Sequence, residues 1–365
     1  MDFTRTEAAD DLSGLVRTIV DAVCTPEHQR ALDGLDQRFD TELWRKLIDA
    51  DILSTAAPES VGGGGFGVLE QTAILTALGR QLAAVPYLES VVLAAGALDR
   101  FGSAELQQQW AAPAVAGEKI LTVALDGEWG QGPVQATASG DGFRLTGTRT
   151  QVAFGPVADA FLVPAESDSG TKVFLVAAGD AGVSVTPLLT TGLGSAGEID
   201  LAGVEVGAGR IVGDAEVLAW LTTQRSLGYS AFQLGVLERA LELTAEYART
   251  REQFERPIGS FQAVSARLAD DYIEVKGLRL AVVQAAWRLS EDLPADIEVA
   301  TAAYWAAEAG HRVAHTTVHV HGGVGIDMDH PVHRYFLTAK QVEFALGGAT
   351  AALRQIGREL ADTPA

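Results

Sequence analysis

The feature that most constrains this chain is a set of long helical periodicities in its C-terminal part. The stretches "LGVLERALELTAEYARTREQF", "ARLADDYIEVKGLRLAVVQAAWRL" and "EVATAAYWAAEAGHRVAHTTVHV" each repeat apolar residues at three- and four-residue spacing. Helices of that length bury their apolar stripes most readily against one another, so residues 215–365 are expected to form a four-helix bundle. Residues 1–118 show the same spacing in shorter pieces, such as "ELWRKLIDADIL" and "LEQTAILTALGRQL", separated by Gly and Pro, and predict an N-terminal α-helical domain. Between them, residues 119–214 change texture to short runs rich in Val, Thr and Gly ("FRLTG", "AFLVPA", "KVFLVAA"), which predict a middle β domain. The fold class read from this order is α+β multidomain: helical domain, barrel-like β domain, helical bundle.

Charge narrows the partners. The 48 acidic residues outnumber the 27 basic ones, and the resulting net charge of -21 repels phosphate backbones and anionic lipid. Nucleic acid and membrane surfaces are therefore not expected as partners. No apolar run approaches a bilayer span, and "MDFTRTEAADD" is acidic where a secretory signal is basic and then apolar, so a cytoplasmic location is expected. Cys24 is the single cysteine, which excludes an internal disulfide and a cysteine-based metal site.

Four motifs bear on chemistry. The glycines of "PESVGGGGFG" suggest a phosphate loop, but the Gly-Lys-Ser/Thr ending is missing and no strand precedes it, so a flexible turn leading into a helix is the expectation. His311, His315 and His319 share one helix face with His321 just beyond. The glutamate of the zinc-protease motif is absent from "HRVAH", and no metal site is expected. In "ARTREQFERPIGSFQAV", Arg251 offers a forked cation suited to a pyrophosphate and Phe254 an apolar face suited to an adenine, against the plainer reading of a solvated interhelix loop. "HGGVG", from His321 to Gly325, lets a ligand approach bare backbone at a helix end.

With "PESVGGGGFG", "RTREQFERPIGSFQAV" and "HVHGGVGIDMDHPVHRYF" in this order across the three segments, the sequence resembles the acyl-CoA dehydrogenases over nearly its whole length. The resemblance implies FAD lying extended between two subunits, with Arg251, Phe254, Gln262, His319, Gly322 and Gly323 facing the pyrophosphate and adenine of a neighbour's FAD. His319 stands where the family often has Gln, and Glu255 where it usually has Gly.

The resemblance also implies a glutamate base that removes the substrate α-proton while the β-hydride passes to the flavin. Counting from "TAK" (Thr338 to Lys340) puts Leu346 at that place. The alternative family position, before an Arg in the first bundle helix, is Gln224. Neither accepts a proton, so no catalytic residue is assigned. The family's Thr-Glu-Pro and Gly-Ser-Asp triplets have no counterpart in "TVALDGEWGQGP", and its Trp-Ile-Thr corresponds to Gln151, Val152 and Ala153.

The pattern implies the non-catalytic subunit of a heteromeric (α2β2) acyl-CoA dehydrogenase of the actinobacterial kind. It would be inactive alone and share FAD with a catalytic paralogue that binds most of the acyl-CoA, with a sterol side-chain ester as one candidate. Two alternatives remain at this level: a self-sufficient homotetrameric enzyme with a relocated base, for which Glu343 is nearest in sequence, and a flavin-free scaffold.

Overall fold

The protein is described by a computed structural model covering residues 5–128 and 130–362. The N-terminal part is a set of short helices: α1 (Glu7–Val23), α2 (Pro26–Asp33), α3 (Thr41–Asp49), α4 (Ile52–Thr55), α5 (Val68–Arg80), α6 (Gly96–Phe101), α7 (Ala104–Leu106) and α8 (Ala112–Val115). Their starts follow local chemistry. Thr6, Thr25 and Asp40 each accept a backbone N–H in the first turn of the helix they precede. A π-helical segment, Tyr87–Ala95, runs directly into α6 and is buried along its whole length.

The glycine-rich stretch before α5 is a close-packed corner, which corrects the expectation of a flexible turn. A Cβ on Gly63 would lie 2.0 Å from the carbonyl oxygen of Ala57. The N–H groups of Gly62, Gly63, Gly64 and Gly65 donate to Glu59, Pro58, Ser54 and Ala57 carbonyls, so none is left to cradle a phosphate.

The middle part is one sheet of β1 (Leu121–Val123), β2 (Val134–Ser139), β3 (Gly142–Ala153), β4 (Ala160–Ser167), β5 (Gly170–Ala177), β6 (Val183–Leu188), β7 (Ala196–Val206) and β8 (Ile211–Asp214). The strand order is β6-β7-β3-β2-β4-β5-β8, and β1 also pairs with β4. Strands β1 and β2 both run parallel to β4, at its beginning and end respectively. Successive residues of β4 enter different cores. Ala160 and Leu162 join the helical core, whereas Phe161, Val163 and Ala165 join the sheet's own interior. In β5, Val173 and Leu175 separate from Phe174 and Val176 in the same way. Burial on both faces is why "AFLVPA" and "KVFLVAA" read as continuous apolar runs.

The C-terminal part is a bundle of α9 (Ala215–Thr250), α10 (Gln262–Ser290), α11 (Asp296–His321) and α12 (Val332–Ala345), with α13 (Gly348–Asp362) packed on α11. Gln233 of α9 is fully buried and donates its amide to the carbonyls of Ala306 in α11 (3.3 Å) and Ala339 in α12 (3.0 Å). Helix α5 packs along α9 and joins the N-terminal domain to the bundle. None of the described helices is long and apolar enough to cross a membrane.

Candidate functional site

Two places in this architecture bear on function. The first lies where α9 and α11 end. Between α9 and α10 the chain forms a small hairpin, with β9 (Glu252–Gln253) antiparallel to β10 (Arg256–Pro257). Its two-residue loop is Phe254-Glu255, and both have positive φ, +54° and +63°. That is the backbone of a type I′ turn, which Asn-Gly adopts at little cost and other residues adopt under strain of about 1 kcal/mol or more each. The strained turn lifts the Phe254 ring to 87% exposure, its edge resting on Phe261 with the ring centroids 6.2 Å apart. The guanidinium of Arg256 sits on the other ring, 4.1 Å from the centroid of Phe261.

Arg251 closes α9 with its backbone N–H on Tyr247 O at 2.8 Å, and its exposed guanidinium makes no ion pair with a described residue. Tyr247, one turn earlier, stacks on His321 with centroids 4.3 Å apart, which brings the end of α9 against the end of α11. Burial lowers the pKa of His321, and its Nδ1 lies 2.8 Å from Thr317 O. Just beyond, Gly322 turns the chain with φ +60°, and a Cβ on Gly322 or Gly323 would meet nothing within 4 Å. The fold therefore gathers Arg251, Phe254 and Gln262 around the hairpin and sets His319, Gly322 and Gly323 at the neighbouring helix end. All six are exposed. A free arginine fork, an aromatic face and an open glycine backbone suit a dinucleotide's phosphates and base, so the residues present fit the adenosine end of FAD. The four histidines diverge: His311 faces Lys340 and Glu343, His315 meets the edge of Phe336, His319 is exposed and His321 is buried.

The second place is a cavity between the three parts, of about 100 Å³. Leu78, Tyr87, Glu89, Phe154, Tyr229 and Gln341 are among its walls. Ligand pockets commonly hold about 300–1,000 Å³, so this one has no room for a flavin ring and an acyl thioester together. The loop from Gly192 to Ser195 closes it. Gly194 N–H donates to Gln341 Oε1 (2.9 Å), Ser195 Oγ to Gln37 Oε1 (2.6 Å), and Arg38 Nη1 to Leu193 O (3.4 Å). A Cβ on Gly194 would lie 2.1 Å from the Gln341 amide, so the glycine is what lets this staple close. Arg38 is held in turn by Asp33, which also binds Arg334.

Leu346 caps α12 and packs on the main core, while Gln224 lines a separate cleft beside Trp220 and Leu289. Glu343 does not line the cavity. It pairs with Lys340 and with His311, whereas Gln341, Val342 and Ala345 face inward. Gln151 is exposed with φ +53°, at a register shift in β3, and Ala153 O accepts the hydroxyl of Thr122 (2.7 Å). Of these positions Ala153 lines the cavity, whereas Gln151 lies on the surface.

Sequence reasoning missed Glu89. Only 6% exposed in the wall of the cavity, it has its pKa pushed up to about 7 by burial, against the lowering pull of its own backbone N–H, Arg225 and a Tyr229 hydrogen bond. Arg225 forks onto Asp126 and lies over the Tyr229 ring. A glutamate inside "VPYLESVV" carries no periodic signal, and nothing local marks it as facing a cavity.

The geometry agrees with comparisons to known proteins. Residues 6–118 match the acyl-CoA dehydrogenase N-terminal domain, and residues 217–361 match the acyl-CoA dehydrogenase C-terminal domain. The chain is 74% identical over 373 aligned positions to acyl-CoA dehydrogenase FadE27 of Mycobacterium tuberculosis, covering all of both. It matches a chain in the crystal structure of the ChsE4-ChsE5 complex from Mycobacterium tuberculosis at 76% identity and TM-score 0.99, again over 100% of each. A Tcur3481-Tcur3483 steroid ACAD variant matches at 38% identity and TM-score 0.93, over 98% of this chain and 99% of that one. With both terminal domains matched and close relatives aligned from end to end, the chain belongs to the acyl-CoA dehydrogenase family.

Proposed function

We propose that this chain is the non-catalytic subunit of an FAD-dependent acyl-CoA dehydrogenase built from two kinds of chain, and that it completes the FAD site of a catalytic paralogue. The observation that carries the reading is a contrast within one chain. Six candidate cofactor residues stand exposed at the bundle end, while the cavity between the domains is small, stapled and without a carboxylate on its α12 wall. When bound, FAD supplies the hydride acceptor for α,β-dehydrogenation of an acyl thioester. The work of this chain is binding. Arg251 pairs with the pyrophosphate, Phe254 covers the adenine, Gln262 and His319 add hydrogen bonds, and Gly322 and Gly323 admit the nucleotide close to the backbone. Proton abstraction and most of the acyl-CoA contact fall to the partner. The heteromeric relatives favour an α2β2 assembly, and the steroid ACAD relative favours a bulky acyl group.

Purifying this chain alone and together with a catalytic paralogue, then counting flavin and turnover, tests the reading. The isolated chain is expected to be colourless and inactive, and the complex yellow and active. Stoichiometric flavin and turnover in the isolated chain would defeat it.

A self-sufficient enzyme is the second reading, and Glu89 favours it as a carboxyl group in the cavity wall. It requires a cavity several times larger than the one present. Loss of activity by orders of magnitude in Glu89→Gln, with the partner intact, would establish it.

A further inference from the structure

The surface shared by α1, α5, α9 and α10 carries a charge opposite to that of the whole molecule. A cleft of about 420 Å³ there is lined by five cationic side chains (Arg17, Arg80, Arg249, Lys276 and Arg279) and two carboxylates, Glu238 and Glu242. The carboxylates are already shared. Glu238 accepts from Arg80 (3.1 Å) and from Arg279, and Glu242 accepts from Arg80 (2.7 Å) and from Arg239 (3.2 Å). Arg249 has Glu246 at 3.0 Å.

Two cations are left over. Arg17, half-buried on α1, makes no hydrogen bond or ion pair with a described residue, and its Nε is buried without a partner. Burial first, then the nearby Arg80, lowers its pKa. Lys276 lies over the ring of Tyr272, 5.3 Å from the centroid, and has no carboxylate among the described residues. The Nε atoms of Arg239 and Arg279 are likewise buried with no hydrogen-bond partner among the described residues. A net positive cleft in a chain of net charge -21 is a place where further carboxylates are attracted, and where cations crowd one another until they arrive.

The same helix shows what kind of body brings them. On α10, Tyr272, Lys276 and Leu280 follow one another at four-residue spacing, and Tyr272, Leu280 and the adjacent Ile273 are exposed apolar side chains. Apolar anchors beside unpaired cations fit a protein surface better than a small free anion. A second copy of this chain docking through a twofold axis would set this basic cleft against itself, which is repulsive.

We propose that the cleft between α1, α5, α9 and α10 is a docking surface for carboxylate side chains of the partner subunit, with Arg17 and Lys276 as the cations that await them. The proposal rests on the heteromeric reading above and adds where the partner is held.

The test is the dissociation constant of the complex with the catalytic paralogue, measured at low and high salt for wild type, Arg17→Gln, Lys276→Gln and the double charge reversal Arg17→Glu/Lys276→Glu. The single variants are expected to weaken assembly several-fold and the reversal about ten- to a hundredfold at low salt, with the difference shrinking as salt rises. Thermal midpoints of the isolated variants confirm folding, and the milder Gln variants carry the test if the reversal unfolds. A wild-type complex that forms while every variant binds within twofold of it would overturn this docking surface and leave the heteromeric reading standing. A wild-type chain that forms no complex with the paralogue would overturn both.

Discussion

The open end of the bundle and the closed cavity are built from the same kinds of residue in opposite states. At the bundle end, an arginine, an aromatic ring and two glycines face outward with no ion pair to a described residue. At the cavity, Arg38, Gln37 and Gln341 are each spent on the loop from Leu193 to Ser195 and bind the walls together. Polar groups that hold a ligand must forgo partners at home, because a satisfied donor gains little by exchanging one hydrogen bond for another. The difference between the two regions lies in whether the chain consumes its own donors, rather than in the donors it has.

Four measurements test that contrast. The largest effect is expected at Glu89. Its folded value of about 7 lies above the ~4.3 of an unfolded glutamate, so the folded state holds the proton more tightly. Stability is therefore greatest below the unfolded value, falls as pH rises through the interval between the two values, and levels off above it. Glu89→Gln should remove that loss, gaining on the order of 3 kcal/mol at pH 8 relative to pH 4 in urea unfolding, and should leave turnover of the complex unchanged. A wild-type chain equally stable across that range would show that Glu89 is not a buried acid.

Next comes Arg251→Ala, expected to remove a charge-assisted contact of about 1.5–3 kcal/mol and weaken FAD binding by the complex roughly ten- to a hundredfold. Arg251→Lys should recover part of the loss, since an ammonium matches the charge without the fork. Unchanged FAD affinity in a titration of the apo-complex would leave the scaffold reading standing.

Gln341→Ala should cost about 1 kcal/mol of stability and speed amide exchange at Gly194, because that N–H loses its acceptor. FAD affinity should stay within twofold, and a large drop would mean that the two regions are coupled. Glu255→Gly is the smallest change. Relieving a positive φ on a non-glycine should raise stability by roughly 0.5–1 kcal/mol, and removing a carboxylate beside the phosphate site should tighten FAD modestly. Loss of stability there would mean that the Glu255 side chain makes a contact worth more than the strain.

The fold was largely legible because its signals are local: period 3.6 over the bundle helices and strand-length apolar runs in β4 and β5. The open half-site was legible for the same reason, since Arg251, Phe254 and Gln262 fall within one short segment. The closed region was not. Its staple joins Gly194 to Gln341 across 147 positions, and neither residue announces the other. The corner around Gly63 was misread because a run of glycines looks the same whether it frees the backbone or lets two backbones touch. Glu89 stayed hidden within a π-helical segment whose period matches neither template.

The alternation of β4 and β5 between two interiors has a consequence for how the molecule comes apart. A strand pair whose alternate residues belong to two different cores cannot leave either without stripping apolar cover from both. The middle sheet and the helices around it are thereby fused into one cooperative unit. Local opening is expected at the hairpin, the glycine turn after α11 and other exposed edges, and the slowest-exchanging amides are expected in β4 and β5, at the seam between regions that the chain's order presents as separate.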